Sequence, residues 1–325
     1  MWFSIAAAVA LSAAAGYAGT VTLGTDGSCF TISAERQFLL GASYYAGLGA
    51  PDGFIRRDLD DLKRLGFNWI RVWATWEDFG KDVSAVNRDG TAREPYLAKL
   101  KWLIREAERR GMIVDVTLTR GGILADQAAH LRAVETLATA LKPFRGVYFD
   151  LANEHGVRDA RYVSFEELRQ LRDAVKKIDP GRLVTASSGD MDRDELRDHL
   201  IEAGLDFVAP HRPRDPGSPA QTQAKTEQLI ADMKAIGRVV PVMYQEPFRR
   251  DYGEWQPGLA DFLTDLRGAK TGGGAGWCFH NGAPRGPGER RPRRSFDMSR
   301  SEGRLMDQLD PVEREFVRQA ASCIR

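Results

Sequence analysis

An α/β chain closed into a (β/α)8 TIM barrel, with a short N-terminal β-hairpin, is the fold class that this sequence predicts on three observations. Apolar runs of strand length alternate eight times with amphipathic segments of helical period. The 325 residues fall within the range of one such barrel. No linker long enough to divide domains interrupts the rhythm, so residues 19–325 read as a single domain. An open, doubly wound sheet is the alternative, but no Gly-x-Gly-x-x-Gly joins a strand to a helix to support a dinucleotide site.

In chain order, Met1 to Ala18 carries no charged side chain, and Phe3 to Ala15 is an alanine-rich apolar run too short for a convincing span. Gly16-Tyr17-Ala18 offers small residues where a signal peptidase reads, so residues 1–18 are expected to be a cleaved secretory signal and the mature protein secreted or periplasmic. The n-region has no Lys or Arg, and an N-terminal membrane anchor is the other reading. Thr20 to Leu23 and Cys29 to Ser33 flank a glycine-rich turn and predict a hairpin that plugs the bottom of the barrel.

The eight units follow. Strand one is Phe38 to Tyr44, with a helix over Ile55 to Leu65. Strand two is Phe67 to Trp73, with Tyr96 to Arg110. Strand three is Met112 to Leu118, with Ala125 to Leu141, and strand four is Gly146 to Glu154, with Phe165 to Ile178. Strand five is Leu183 to Ser187, with Glu195 to Glu202, and strand six is Phe207 to Ala209, with Thr222 to Ile236. Strand seven is Val239 to Glu246, with Leu259 to Leu266, and strand eight is Ala275 to Phe279, with Pro311 to Ala321. Arg285 to Arg304, rich in Arg, Gly and Pro, reads as a long loop on the active face, either a substrate-contacting lid or a solvated excursion.

Composition excludes some functions. The net charge of +1 supplies no field for nucleic acid or an anionic membrane, so neither is an expected partner and no stable membrane association follows signal cleavage. Of the three cysteines, Cys278 reads as a buried thiol, whereas Cys29 and Cys323 are placed to form a bridge where the barrel closes. Their spacings give no zinc site, and neither metal nor cofactor is expected. The sequence leaves the oligomeric state open.

The chemistry concentrates at two strand ends. Phe149-Asp150-Leu151-Ala152-Asn153-Glu154 closes strand four, and Tyr244-Gln245-Glu246-Pro247 closes strand seven. In a parallel barrel such ends line the concave face, and two carboxylates meeting there are what a glycosidase needs. The alternative for Asn153 and Glu154 is that they cap the next helix. By a two-residue period Asp150 and Glu154 share one face, and Tyr244 and Glu246 another. Arg71 on strand two favours an ionised Glu246, the nucleophile, while Glu154 beside neutral Asn153 is the expected protonated acid. Arg71 is also the partner that a buried Asp150 requires. Asn153 is placed to bind a sugar 2-hydroxyl; His211 either orients a glutamate or sits in a surface loop. Tyr44, Tyr45, Trp73, Trp76 and Trp277 are the expected platforms for a carbohydrate substrate, Trp69 and Trp102 are core, and Trp255 is platform or plug.

From Asp26 onward the chain resembles the clan A glycoside hydrolases, and most closely the cellulase-like family 5, in divergent form. The resemblance implies Glu154 as acid/base, Glu246 as nucleophile, and Arg71, Asn153, His211 and Trp277 as substrate-site residues. Departures are Thr119-Arg120-Gly121 where the family has a histidine, His155 where it has proline, Pro213 where an aromatic is expected, and Pro247 after the nucleophile. Tyr244 is then expected to contact Glu246. The function implied is a secreted retaining β-glycoside hydrolase; a carbohydrate-binding barrel without catalysis is the alternative. A hydrolase of a non-sugar bond is a third, weakened by the lack of metal ligands and of a nucleophile elbow.

Overall fold

The structure, a computed structural model, describes residues 21–78, 80–252, 254–280 and 298–325. The expected signal segment and residues 285–297 of the expected loop lie outside them.

The barrel strands are β1 (Leu39–Ser43), β2 (Trp69–Trp73), β3 (Ile113–Thr117), β4 (Val147–Asp150), β5 (Val184–Thr185, resumed at Ser187–Ser188), β6 (Ala209–Pro210), β7 (Met243–Tyr244) and β8 (Gly276–Phe279). Seven of them form one parallel sheet in the order β5-β4-β3-β2-β1-β8-β7. The ring closes through β6, which pairs with the resumed half of β5 and meets the β7 segment at Val208–Val242 and His211–Glu246. This is a (β/α)8 TIM barrel.

Its helices are α1 (Asp52–Arg64), α2 (Tyr96–Glu108), α3 (Gln127–Leu141), α4 (Phe165–Ile178), α5 (Arg193–Arg197), α6 (Ser218–Ile236), α7 (Leu259–Thr271) and α8 (Pro311–Cys323). Helix α1 buries an apolar stripe through Ile55, Leu59 and Leu62. Helix α4 starts where expected because Ser164 and Glu167 form a reciprocal capping box. Helix α5 is short and passes into a π-helical turn over Asp198–Glu202. Such a turn re-aims side chains, and here His199 is fully buried.

The N-terminal segment is a three-stranded antiparallel meander, Leu23–Asp26, Cys29–Ile32 and Glu35–Gln37, one strand more than the expected hairpin. Its Phe30 packs edge-on against Phe207 with centroids 5.1 Å apart, and Phe207 meets Tyr148 at 5.0 Å. Tyr148 lies parallel to Trp69 at 6.4 Å. This aromatic column fills the barrel axis from the N-terminal end upward, and Gly41 makes room for it, since a Cβ there would overlap the Trp69 ring.

The expected bridge between Cys29 and Cys323 is not formed, and all three thiols are unbridged. The two cysteines belong to the meander and to the end of α8, where the Cys323 thiol is directed at the Leu263 carbonyl instead. No helix among the described residues is long and apolar enough to cross a membrane.

Candidate active site

Arg71 is the hub. It projects from β2 into the barrel, fully buried, and its guanidinium serves five side chains. Nη1 donates to Glu246 Oε1 at 2.6 Å, Nη2 to Asp150 Oδ2 at 2.9 Å and to Asn153 Oδ1 at 2.7 Å, and Nε to Thr117 Oγ1 at 3.0 Å. Asp115 Oδ2 lies 3.4 Å from Nε. A planar fork of five N–H donors satisfies this many acceptors in one plane, which an ammonium does not.

Glu246 takes five contacts, one of them from His211 Nδ1, 3.8 Å from Oε2. Besides Arg71, Oε1 accepts from the Tyr45 hydroxyl at 3.0 Å; Oε2 accepts from Arg214 Nη2 at 2.8 Å and lies 3.4 Å from His280 Nε2. Burial alone would raise its pKa. The facing His211 ring and the Arg71 and Arg214 guanidiniums oppose this and hold the carboxyl well below its usual range. Arg249 Nη1 sits 2.9 Å from His280 Nε2. Arginine has no lone pair, so that nitrogen accepts, and burial keeps the ring neutral. The single imidazole proton therefore resides on Nδ1, facing the Tyr45 and Ser43 hydroxyls at 2.9 and 3.1 Å. Arg249, His280 and Tyr45 thus form an oriented chain of hydrogen bonds that ends on Glu246.

Glu154 reaches the same space by a different backbone. Its φ is +49°, a left-handed conformation that costs a glutamate on the order of 1–2 kcal/mol. This turn breaks the strand's alternation and brings Oε1 to 3.3 Å from His211 Nδ1. Oε2 pairs with Arg161 of the loop after β4. One oxygen of each glutamate and a ring nitrogen of His211 all lie within 4.8 Å of one another. The expectation of a neutral Glu154 without a cationic partner is corrected here: first the hydrogen bond from His211, then its charge and that of Arg161, lower the pKa against burial and the Glu246 charge.

The structure thus brings Glu154, Glu246, Arg71, Asn153 and His211 together. Trp73 stands beside them, in a cluster with Tyr45 and Trp76 whose ring centroids are 5.1–5.3 Å apart. Three expected site residues point away. The Tyr44 hydroxyl donates to Asp58 of α1 at 2.9 Å, that of Tyr244 meets Thr226 of α6 at 2.7 Å, and Trp277 Nε1 donates to Asp265 of α7 at 2.6 Å. All three are buried between barrel and helices. The reason is register. Gly41 faces the axis, so Leu40 faces out, and in parallel pairing Trp277 opposite Leu40 faces out too. At β7 the two-residue period fails: Gln245 points inward, donating to Asp115 at 2.7 Å, and Glu246 after it also faces the site.

The hydroxyl on Glu246 is therefore that of Tyr45, and the residue at the end of β8 that reaches the site is His280. His280 stands two residues beyond Cys278, whose Sγ lies 3.4 Å from inward-facing Ser43, and a correct strand-eight register would have found it. Arg161, Arg214 and Arg249 lie in loops and carried no periodic signal. Trp69 and Trp102 are core and helix-packed as expected, and Trp255 packs against Phe248 at 4.9 Å. Trp277→Phe is expected to cost about 1–3 kcal/mol of stability by stripping Asp265 of a buried donor, measured by urea unfolding.

No family model and no curated protein sequence matches the chain. Solved structures do. A glycoside hydrolase family 5 mannosidase from Rhizomucor miehei superposes with a TM-score of 0.66 at 14% identity, covering 94% of this chain and 97% of that one. The endo-1,4-β-D-mannanase of Thermotoga petrophila gives 0.61 at 15% identity over 88% and 99%, and the β-mannanase of the blue mussel Mytilus edulis 0.57 at 17% over 80% and 91%. The fold of this chain is that of the family 5 glycoside hydrolases, at low sequence identity.

Proposed function

We propose that this chain, a barrel with the fold of the family 5 glycoside hydrolases, is a secreted retaining β-glycoside hydrolase that works by double displacement with Glu246 and Glu154. The observation that carries the reading is the 4.8 Å clustering of the two carboxylates around His211. Retaining enzymes hold their carboxyl groups about 5–5.5 Å apart, whereas an inverting pair leaves room for a water.

Glu246, kept ionised, attacks the anomeric carbon while Glu154 delivers a proton to the departing glycosidic oxygen. A glycosyl ester on Glu246 and a free alcohol result. Forming the ester removes the Glu246 charge, which in the free enzyme pushes the Glu154 pKa upward. Glu154 thus becomes more acidic once it has given up its proton, as a general base for the second step should. It then takes a proton from water, whose oxygen attacks the anomeric carbon and releases Glu246. Asn153, its carbonyl oxygen held by Arg71, offers its amide nitrogen to the sugar 2-hydroxyl, and Trp73 with Trp76 forms the platform. The uncharged apolar residues 1–18 support export.

β-Mannan is the first polymer to test, because mannanases and a mannosidase share this fold. A carboxylated sugar is a second reading, favoured by Arg249: its guanidinium is buried beside the nucleophile, its Nε has no partner, and no carboxylate of the described residues pairs with it. Hydrolysis of a panel of neutral and uronate-containing β-glycans, with product sizing, separates the two. Binding without turnover across the panel supports the non-catalytic barrel instead.

Two outcomes test the acid. Glu154→Ala is expected to keep glycosylation by substrates with good leaving groups and to turn over faster with azide; equal loss on all leaving groups reassigns the acid. In the free enzyme Glu154 must be protonated to act and its pKa is lowered, so kcat/KM should fall as pH rises through a range below that of an ordinary glutamate. Arg161→Gln removes one lowering charge, and the falling limb should move to higher pH. An unmoved limb assigns it to another group.

A further inference from the structure

Directly behind Glu154 stands a second polar cluster that the proposed hydrolysis does not use. His155 follows Glu154 in the loop after β4, while Glu195 and His199 come from α5 and its π-helical turn. His155 is 2% exposed and His199 fully buried. His155 Nδ1 lies 2.9 Å from the Val163 carbonyl oxygen, and His199 Nδ1 2.9 Å from that of Glu195. A carbonyl oxygen only accepts, so each Nδ1 holds its ring's proton. Both Nε2 atoms are then left as lone pairs, and they face each other at 3.1 Å.

Three contacts call for three protons, and two neutral imidazoles supply two. The Ala186 carbonyl, a further acceptor at the His199 ring, deepens the shortage. The arrangement is complete only with a cation between the rings. A carboxylate oxygen of Glu195 lies within 4.8 Å of a ring nitrogen of each histidine, and the Glu195 side chain is itself anchored by the Ser188 hydroxyl. Zinc–nitrogen bonds of about 2.0–2.1 Å in a tetrahedron put neighbouring nitrogens roughly 3.3 Å apart, close to the spacing found. Carbonyls that accept from the far nitrogens, and a hydroxyl that orients the carboxylate, are what surrounds protein zinc ligands.

We propose that His155 Nε2, His199 Nε2 and a Glu195 carboxylate oxygen bind one divalent transition-metal ion, zinc by the chemistry of the donor set. The ion ties α5 to the loop whose preceding residue is Glu154, and so holds the left-handed turn that aims that carboxylate. This departs from the expectation of a metal-free chain: two of the ligands are histidines 44 residues apart on different elements, a spacing no short motif announces.

The test uses the full mature protein, stripped with a chelator and titrated with Zn2+ in competition with a chromogenic chelator, and separately loaded with Co2+. One equivalent of Zn2+, a rise in Tm, and the visible absorption of tetrahedral cobalt are expected. His199→Gln and Glu195→Gln should each weaken Zn2+ at least tenfold and lose the cobalt signature, while His211→Gln should leave both intact. Glu195 is partly exposed, so its variant remains informative if His199→Gln fails to fold. Absence of saturable binding in the wild type overturns the proposal in favour of a proton shared by the rings. Binding lost in His211→Gln and kept in the other two overturns it in favour of an ion between the catalytic glutamates.

Discussion

Glu246→Ala is expected to reduce turnover by about 10⁴-fold or more on every substrate, whatever its leaving group, while the barrel remains folded. The breadth of the loss is the diagnostic part. Removing the proton donor spares substrates that depart unaided, but removing the nucleophile spares none. The fold should survive because Arg71 keeps Asp150 at 2.9 Å and Asp115 at 3.4 Å. Its stability should nonetheless carry a pH signature. The folded Glu246 carboxyl lies well below its ordinary value, so its contribution is present above the unfolded value near 4.3 and is lost as pH falls through the folded one. The gap in unfolding free energy between wild type and variant should therefore be widest at neutral pH and narrow on acidification. Activity above a hundredth of wild type, measured on an aryl β-glycoside with matched circular dichroism, would remove Glu246 from the nucleophile's role.

Arg71→Met is expected to cost roughly 3–5 kcal/mol of stability, the range for stripping a buried network of its only central cation. Three carboxylates surround it, and burial already pushes Asp115 up to about 8 with the guanidinium opposing. Without that charge the Glu246 carboxyl should rise as well, so residual activity should need higher pH. Arg71→Lys should recover little: one ammonium cannot reach Glu246, Asp150, Asn153 and Thr117 with the geometry of a fork. Urea unfolding reads the first effect and the pH dependence of kcat/KM the second. A loss below 1 kcal/mol would show that the network tolerates an empty centre.

How far the chain could be read in advance is seen in particular elements. Helix α4 was legible to the residue because its start is written locally, in Ser164 and Glu167, and its end in Asp179-Pro180. The alternation that makes a barrel was legible for the same reason: a buried strand and an amphipathic helix each declare themselves within a dozen residues. Glu154 and Glu246 could be located at strand ends, yet the face argument used for them failed twice. Glu154 turns left-handed, and Gln245 and Glu246 both point inward. Tyr44 and Trp277 read as platforms because they are aromatic and terminal, and Tyr244 as a contact to Glu246 because it shares its strand face, but all three tie strands to helices through Asp58, Asp265 and Thr226.

By itself, then, the sequence determined the order of strands and helices, the presence of a carboxylate at the ends of the fourth and seventh strands, and an arginine on the second. Tertiary structure alone decided which aromatics face the axis, which hydroxyl and imidazole reach Glu246, and which loop arginines grip the two glutamates. The division follows from range. Period and capping are properties of neighbours along the chain, whereas the register between β8 and β1, and the approach of Arg161, Arg214 and Arg249, are settled only when the ring closes and side chains far apart in sequence compete for the same buried space.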